Sequence, residues 1–486
     1  MKDLLIMKFG GTSVGSAARM RVAAELAARE AARRPVAIVV SAMSKVTDLL
    51  LDTMRHAEGG DRAGLETNLA ALRSRHADAC CQLLPETRHA AMLARLHEIL
   101  GEFERIVNGM AMLNERPPRS VDEAVAVGER LSALLVADYL SVSGTPAEAV
   151  NAASVVVTDA MFGNASPLME PTRDKAAQVL APLIARGILP VVTGFNGATA
   201  DGRPTTLGRG GSDFSASILA AALDAAELWI WTDVDGIMSA DPRLVPDAQV
   251  LEEVTYAEAA ELAYAGAKVL HPRTLAPLVA KRIPVWSKNS FAPHKPGTKI
   301  VPALADADAV GTRAVTSTAK VALLSLEPAS AEVNGVQVMA RALEALARAN
   351  VEVLVFSSSS YRQNFCFLVR EEELEKSVQA LESALALELA HGYVHPIHVN
   401  RDVGLLAAVG EGMQGKPGLA ARIFTAISRV QVNIIAIAQG SSELTIAVVV
   451  RRSGLEKAVQ AVHAECGLGV RPPVPVFRFP MERRPE

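Results

Sequence analysis

Leu4-Leu-Ile-Met-Lys-Phe-Gly-Gly-Thr-Ser-Val-Gly15 is the stretch on which the reading of this chain turns. A short apolar run, Leu4 to Phe9, ends in two glycines and gives way to an Ala/Arg/Glu-rich helical pattern reaching about Arg33. The β-rich run Val36-Ala-Ile-Val-Val40 follows. Strand, glycine turn, helix and second apolar strand, in that order, describe a parallel α/β unit. Glycines let the backbone approach a ligand closely, and the free N–H groups of a helix start form a ready anion site. Lys8 adds a positive charge at the mouth of the turn. This is not a Walker A loop, because the lysine precedes the glycines and no GxxxxGK[ST] occurs.

Further apolar runs extend the alternation over roughly the first 300 residues: Ile188-Leu-Pro-Val-Val-Thr193, Glu227-Leu-Trp-Ile-Trp-Thr232 and Ile283-Pro-Val-Trp286. Residues 50–140 differ, being polar, Ala/Leu/Arg-rich and helical in pattern; they read as an insertion near one edge of the sheet. A second glycine loop, Leu207-Gly-Arg-Gly-Gly-Ser-Asp213, again precedes a helical stretch. Trp231-Thr-Asp-Val-Asp-Gly236 ends another strand and is followed by Asp241-Pro-Arg243. An EF-hand is excluded there, since position 12 counted from Asp233 is Leu244. Gly266-Ala-Lys-Val-Leu-His-Pro272 supplies one more cation, Lys268. Parallel sheets place ligands at the carboxyl ends of their strands, where these loops fall.

A Gly/Pro-bearing stretch, Ala292 to Thr298, marks a boundary, and an internal repeat lies beyond it. Ala342-Leu-Glu-Ala-Leu-Ala-Arg-Ala-Asn-Val-Glu-Val-Leu-Val-Phe356 overlays Ile423-Phe-Thr-Ala-Ile-Ser-Arg-Val-Gln-Val-Asn-Ile-Ile-Ala-Ile437 without gaps. Each copy reads as helix, strand, polar turn, strand. Two copies are too few for a solenoid, so they are expected as paired small α+β modules. Gly410-Glu-Gly-Met-Gln-Gly415 fits G-x-G-x-x-G, but no acid stands at the spacing a dinucleotide ribose needs, so a nicotinamide site is rejected.

Composition narrows the rest. A chain of 486 residues suggests about three domains. Lys plus Arg at 49 against Asp plus Glu at 53 leaves a net charge of −4, with no basic excess to neutralise nucleic-acid phosphates. No apolar run reaches the ~18 residues of a membrane span. Met1-Lys2-Asp3 and the four apolar residues after it are too short for a signal peptide, so a cytoplasmic setting is expected. Cys80, Cys81, Cys366 and Cys466 form no CxxC pair, which points to reduced thiols.

Together the motifs resemble the aspartokinases, a branch of the amino-acid kinase family. The resemblance rests on Lys8-Phe-Gly-Gly-Thr-Ser-Val, Val40-Ser-Ala-Met-Ser-Lys-Val-Thr47, Val127-Gly-Glu-Arg-Leu-Ser132, Leu207 to Asp213, Thr232 to Gly236 with Asp241 to Arg243, and Gly266 to Pro272. It implies an α/β three-layer αβα sandwich over 1–300, a linker over 301–317, two ferredoxin-like ACT modules over 318–395 and 396–475, and a tail over 476–486. The second module is closest to the threonine-sensitive branch, and the homoserine dehydrogenase often fused to that branch is expected to be absent.

The implied reaction moves the ATP γ-phosphoryl group to the β-carboxylate of L-aspartate. A carboxylate with pKa ~3.9 is already ionised, so no general base is needed and catalysis is positioning plus electrostatics. By resemblance Lys8, Asp213 and Lys268 are catalytic, Lys8 on the transferring phosphoryl group and Asp213 orienting it. Arg209 would pair with the substrate α-carboxylate, Glu129 with its α-ammonium, and Thr47 and Ser41 with the acceptor end. Lys8, Gly10, Gly11, Ser13, Gly210, Gly211, Ser212, Thr232, Asp233, Met238, Arg243 and Lys268 would line the nucleotide. Mg²⁺ is implied by ATP, with no dedicated protein metal site visible. Asn433 and Gln439 would meet an amino-acid effector, threonine or lysine, and the ACT modules imply a homodimer or a tetramer. In the overlay Gln439 is matched by Ser358 and Glu443 by Arg362, so the first effector site is expected to be weakened. Nucleic-acid and membrane partners are not expected.

Overall fold

The computed structural model describes residues 3–267, 270–304, 311–329, 333–360 and 363–469. The chain divides into two compact units, the first of Met1–Ile237, Val250–Ala263 and Lys268–Ala305, the second of Met238–Gln249, Tyr264–Ala267 and Asp306–Glu486.

In chain order the first unit contains β1 (Leu5–Phe9), α1 (Ala17–Ala31), β2 (Val36–Val40), α2 (Val46–Glu58), α3 (Arg62–Leu83), α4 (Glu86–Leu113), α5 (Pro118–Val125), α6 (Val127–Val142), β3 (Ala147–Val150), β4 (Val157–Thr158) and α7 (Met169–Ala185). It continues with β5 (Leu189–Thr193), β6 (Asn196–Thr199), β7 (Pro204–Thr206), α8 (Gly211–Ala222), β8 (Glu227–Thr232), β9 (Glu253–Thr255), α9 (Tyr256–Tyr264), α10 (Pro272–Val279), β10 (Val285–Asn289) and β11 (Thr298–Val301). Eight strands form one sheet in the order β3-β5-β2-β1-β8-β10-β11-β9, while β4, β6 and β7 make a small separate sheet.

β1 is central and all five of its residues are buried, which is why it reads as an unbroken apolar run rather than an alternating one. It runs parallel to β2 and β8, with Phe9 opposite both Val40 and Trp231. Asn289 of β10 stands opposite Thr232 in turn. That register brings the carboxyl ends of β1, β2, β8 and β10 to one edge, so the loops after them emerge side by side. The helices α2 to α6 occupy the expected insertion. Their buried faces join the main core through Leu50, Met54, Leu72, Leu96, Phe103 and Leu131.

The second unit holds β12 (Ala314–Thr318), β13 (Val321–Leu326), α11 (Gly335–Arg348), β14 (Val355–Ser358), β15 (Phe365–Arg370), α12 (Leu374–Ala384), α13 (Ala386–Ala390), β16 (His398–Asn400), β17 (Val403–Val409), α14 (Leu419–Arg429), β18 (Ile434–Gln439), β19 (Thr445–Arg451) and α15 (Leu455–Glu465). Two four-stranded sheets result, β14-β15-β13-β16 and β12-β17-β19-β18. The repeat is visible in detail: Asn350 and Gln431, which the overlay pairs, both take left-handed backbone after their helices, with φ of 51° and 57°.

The sheets correct the expected module boundaries. β12, placed by the sequence in a linker, pairs antiparallel with β17 from Ala314↔Val409 to Thr318↔Leu405 and belongs to the second module. β16, assigned to the second module, pairs with β13 at Leu323↔Asn400 and closes the first. The first module is therefore set into the second, each supplied with its outer strand from beyond the repeated stretch. The expected tail, 476–486, lies outside the described residues.

Candidate active site

Lys8 is nearly buried on β1 and makes an ion pair with Asp213 at 2.6 Å. Asp213 stands in the first turn of α8, where a carboxylate complements the positive helix end. Gly10 leaves room for the ammonium, since a Cβ there would lie 3.2 Å from Lys8 Nζ. Gly11 presses against the loop after β2: its carbonyl accepts from Ser44 N at 3.1 Å, and a Cβ would stand 3.1 Å from Ala42 O. Gly210 caps α8 in left-handed backbone at φ 69°, with Gly211 and Ser212 opening the helix. Lys8, two glycine loops and one helix N-terminus thus converge, a donor set suited to anionic phosphates.

Beside it lies a buried carboxylate. Gly128 lets α6 press on the loop after β2, because a Cβ there would come within 2.8 Å of Ala42 Cβ. Glu129, one residue on, is 3% exposed, and its Oε1 accepts from Ala42 N at 3.1 Å. Among the described residues its Oε2 has no hydrogen-bond partner, and neither has the buried Ser132 Oγ one turn further along the helix. Burial pushes the Glu129 carboxyl up to about 8. A buried carboxylate left half-satisfied is costly, and a cation would complete it. Ser41 follows β2 directly, its N–H donating to Phe9 O at 3.1 Å, and half-buried Thr47 lies in the first turn of α2. Arg209 is exposed between Gly208 and Gly210, both at positive φ.

The loop after β8 is braced from β10. Ser290 N and Oγ donate to Thr232 O at 2.9 and 3.1 Å, and Thr232 Oγ1 donates to the exposed Asp233 at 3.3 Å. Asp235 accepts from Asn289 Nδ2 at 2.6 Å and pairs with Lys295 at 2.6 Å, and these donors hold its carboxyl below the usual range.

Three further residues were expected to line the nucleotide: Ser13, Met238 and Arg243. Ser13 is fully buried, and its hydroxyl bonds Ser290 Oγ at 2.8 Å and Trp231 O at 3.3 Å. Met238 and Arg243 lie on the 238–249 segment, which groups with the second unit, and Arg243 is held by its neighbour Asp241 at 2.9 and 3.1 Å. Lys268 lies outside the described residues, as does Arg362 of the repeat overlay. Asn433 and Gln439 flank or end β18 and are exposed.

Phe195 was missed by the sequence reading. It takes left-handed backbone, φ 72°, an uncommon state for a bulky residue. Its N–H donates to Ser215 Oγ at 2.9 Å, its carbonyl accepts from Leu207 N at 2.9 Å, and a Cβ on Gly211 would lie 2.6 Å from its ring. The only hint in the sequence is the glycine spacing of Gly194-Phe-Asn-Gly197, which announces a turn without naming its occupant.

With this geometry the chain can be set beside known proteins. The amino acid kinase family model matches residues 3–289, and an ACT domain model matches 332–385 and 406–466. The chain belongs to the amino acid kinase family, in its aspartokinase branch. It is 32% identical over 472 residues to aspartokinase 3 of Arabidopsis thaliana, covering 94% of this chain and 81% of that protein. It is 34% identical over 466 residues to the bifunctional aspartokinase/homoserine dehydrogenase 1 of the same plant, covering 94% of this chain. Of such bifunctional relatives it spans about half the length, 50% in that case. The crystal structure of E. coli aspartokinase III in complex with aspartate and ADP superposes with a TM-score of 0.82 at 30% identity, covering 95% of this chain and 99% of that one. The sandwich followed by ACT modules is thus the fold of this branch.

Proposed function

We propose that this chain is an aspartate kinase, transferring the γ-phosphoryl group of ATP to the β-carboxylate of L-aspartate. A carboxylate oxygen attacks the γ-phosphorus, the bond from that phosphorus to the bridging oxygen breaks, and ADP leaves with the electron pair. The observation that carries this reading is Glu129: a buried carboxylate oxygen without a partner, beside a cationic phosphate site, asks for a substrate with its own ammonium. Lys8 stabilises charge on the transferring group, and Asp213 holds the ammonium in place until substrate arrives. Arg209 takes the α-carboxylate, Glu129 the α-ammonium, and Ser41 and Thr47 the acceptor end. The glycine backbone of both loops, Ser212, Thr232 and Asp233 border the nucleotide, and Lys268 is assigned to it on its sequence motif alone. Mg²⁺ would arrive on the phosphates and offset their charge.

The second unit is the sensing part, taking an amino-acid effector, threonine or lysine. Phe356, Ile435 and Ile437 stay exposed on β14 and β18, an apolar patch that we assign to a homodimer interface, with a tetramer as the higher state. No helix among the described residues is long and apolar enough to cross a membrane.

The test couples ADP release to hydroxylamine trapping of the acyl phosphate, over a panel of aspartate, glutamate, acetylglutamate, carbamate and UMP. Hydroxamate from aspartate alone is expected, and turnover only with another acceptor overturns the assignment. Lys8→Ala should abolish turnover with the fold intact.

A further inference from the structure

Arg273 lies just beyond the Gly266 to Pro272 motif, at the start of α10, and no role has been given to it so far. Its guanidinium lies 5.0 Å from the Phe214 ring of α8 and is desolvated enough to have its pKa lowered. Nη2 donates to Ala165 O at 2.9 Å and Ser166 Oγ at 3.4 Å. Nη1 donates to Asn164 Oδ1 and, at 3.3 Å, to Leu207 O. One planar fork therefore joins two chain segments, 164–166 and the residue that opens the Gly208-Arg209-Gly210 turn.

The chain entering the same turn is held, one residue earlier on each segment, by a buried carboxylate. Asp122 on α5 is 1% exposed, and it accepts from Gly163 N at 2.8 Å, Thr206 N at 2.9 Å and Thr206 Oγ1 at 2.7 Å. Packing leaves the turn little freedom: a Cβ at Gly208 would come within 2.5 Å of Asn164 Oδ1, and one at Gly210 within 3.1 Å of His271 Cβ. Arg209 is exposed at the tip of the turn.

We propose that Arg273 is a positioning residue that, with Asp122 on the adjoining residues, fixes the Arg209 turn and thereby sets the enzyme's requirement for an α-carboxylate on its acceptor. This deepens the reading of Arg209 as the α-carboxylate receptor and rests on it. A lysine cannot replace the fork, because a single ammonium does not span two segments in one plane.

The experiment measures steady-state constants of the full chain for Arg273→Gln, Arg273→Lys, Asn164→Ala and Arg209→Ala. It adds the inhibition constant of 3-aminopropanoate, which is aspartate without its α-carboxylate. Arg273→Gln should raise KM for aspartate by roughly tenfold or more, with KM for ATP and the 3-aminopropanoate constant within about twofold. Arg273→Lys should restore less than half of that loss, and Asn164→Ala should shift KM for aspartate in the same direction by a smaller factor. Equal rises in both substrates' KM, or recovery by lysine, overturn the inference, since either describes general loosening or charge alone. If Arg273→Gln does not fold, Asn164→Ala and Arg273→Lys decide on the same criteria. If Arg209→Ala raises KM for aspartate while the Arg273 and Asn164 variants do not, the inference falls and the site reading stands. If Arg209→Ala leaves KM for aspartate unchanged, the site reading falls and the inference with it.

Discussion

Two buried carboxylates on successive helices, Asp122 of α5 and Glu129 of α6, have the same chemistry and opposite accounts of their hydrogen bonds. Asp122 receives three donors from Gly163 and Thr206. Glu129 receives one, from Ala42, and keeps an oxygen with no partner among the described residues. Burial raises the pKa of both carboxyls, and at Asp122 the three donors oppose it. The difference separates a side chain whose interactions are complete within the protein from one that, in the proposed function, is completed by substrate. A saturated carboxylate organises loops, whereas an unsaturated one is a binding group held ready at the expense of stability.

Removing each charge is the sharpest way to break that contrast. Glu129→Gln should lower kcat/KM for aspartate by about a hundredfold or more, the scale of a buried ion pair losing one partner. KM for ATP should stay close to wild type, and the melting temperature near pH 8 should not fall. A variant that loses stability but keeps its aspartate KM would place Glu129 with Asp122 as a structural group. Asp122→Ala should instead destabilise the first unit by about 2–3 kcal/mol, because buried N–H groups lose their acceptor. Urea denaturation measures this, and an unchanged midpoint would break the comparison from the other side.

Smaller effects follow from pH. The Glu129 carboxyl is raised from its ordinary value to about 8, so the folded state favours the proton more than the unfolded chain does. Its contribution to stability is complete below the ordinary carboxylate range and is lost as pH rises through about 8. Wild type should therefore weaken relative to Glu129→Gln between pH 5 and 9, read as a widening gap in melting temperature. Aspartate binding has the opposite sign: its ammonium needs the ionised carboxylate, so KM should fall as pH rises toward 8. A flat profile in both measurements would remove the proposed receptor.

The smallest effect carries the rule into the second unit. There the exposed Glu443 accepts from Gly415 N through Oε2 at 2.6 Å, fixing the loop ahead of α14, while Gln414 Nε2 donates to Ser442 O at 2.7 Å. Glu443→Gln should cost about 0.5–1.5 kcal/mol and shift the response to threonine or lysine without changing kinetics in their absence. The repeat overlay puts Ser358 where the second module has Gln439, and inhibition by threonine is expected to be weak. Full inhibition at sub-millimolar threonine would show that the first module still binds.

Much of the site was legible because its chemistry is local. Lys8, Gly10, Gly11, Gly210 and Gly211 announce themselves through turns that need glycine beside a helix start, and the repeat shows itself by self-overlay. Ser13 read as a loop residue because its neighbours are, but the direction of its hydroxyl depends on Ser290, far away in sequence. Phe195 gave no signal, since positive φ in a phenylalanine is imposed by Ser215 and Leu207 and not by its own preference. Asp122 and Arg273 resemble ordinary helix-surface charges until the loops they hold fold over them.

By itself the sequence determined the parallel α/β sheet, the glycine loops at its strand ends and the paired modules. These follow from periodicity, turn chemistry and short-range order. Tertiary structure alone decided which carboxylate is saturated and which is left open, and which strand completes which module. β12 pairs with β17, and β13 with β16, across long stretches of intervening chain. Such pairing is chosen by the apolar faces that strands share once the helices have packed, a choice no local stretch of sequence encodes.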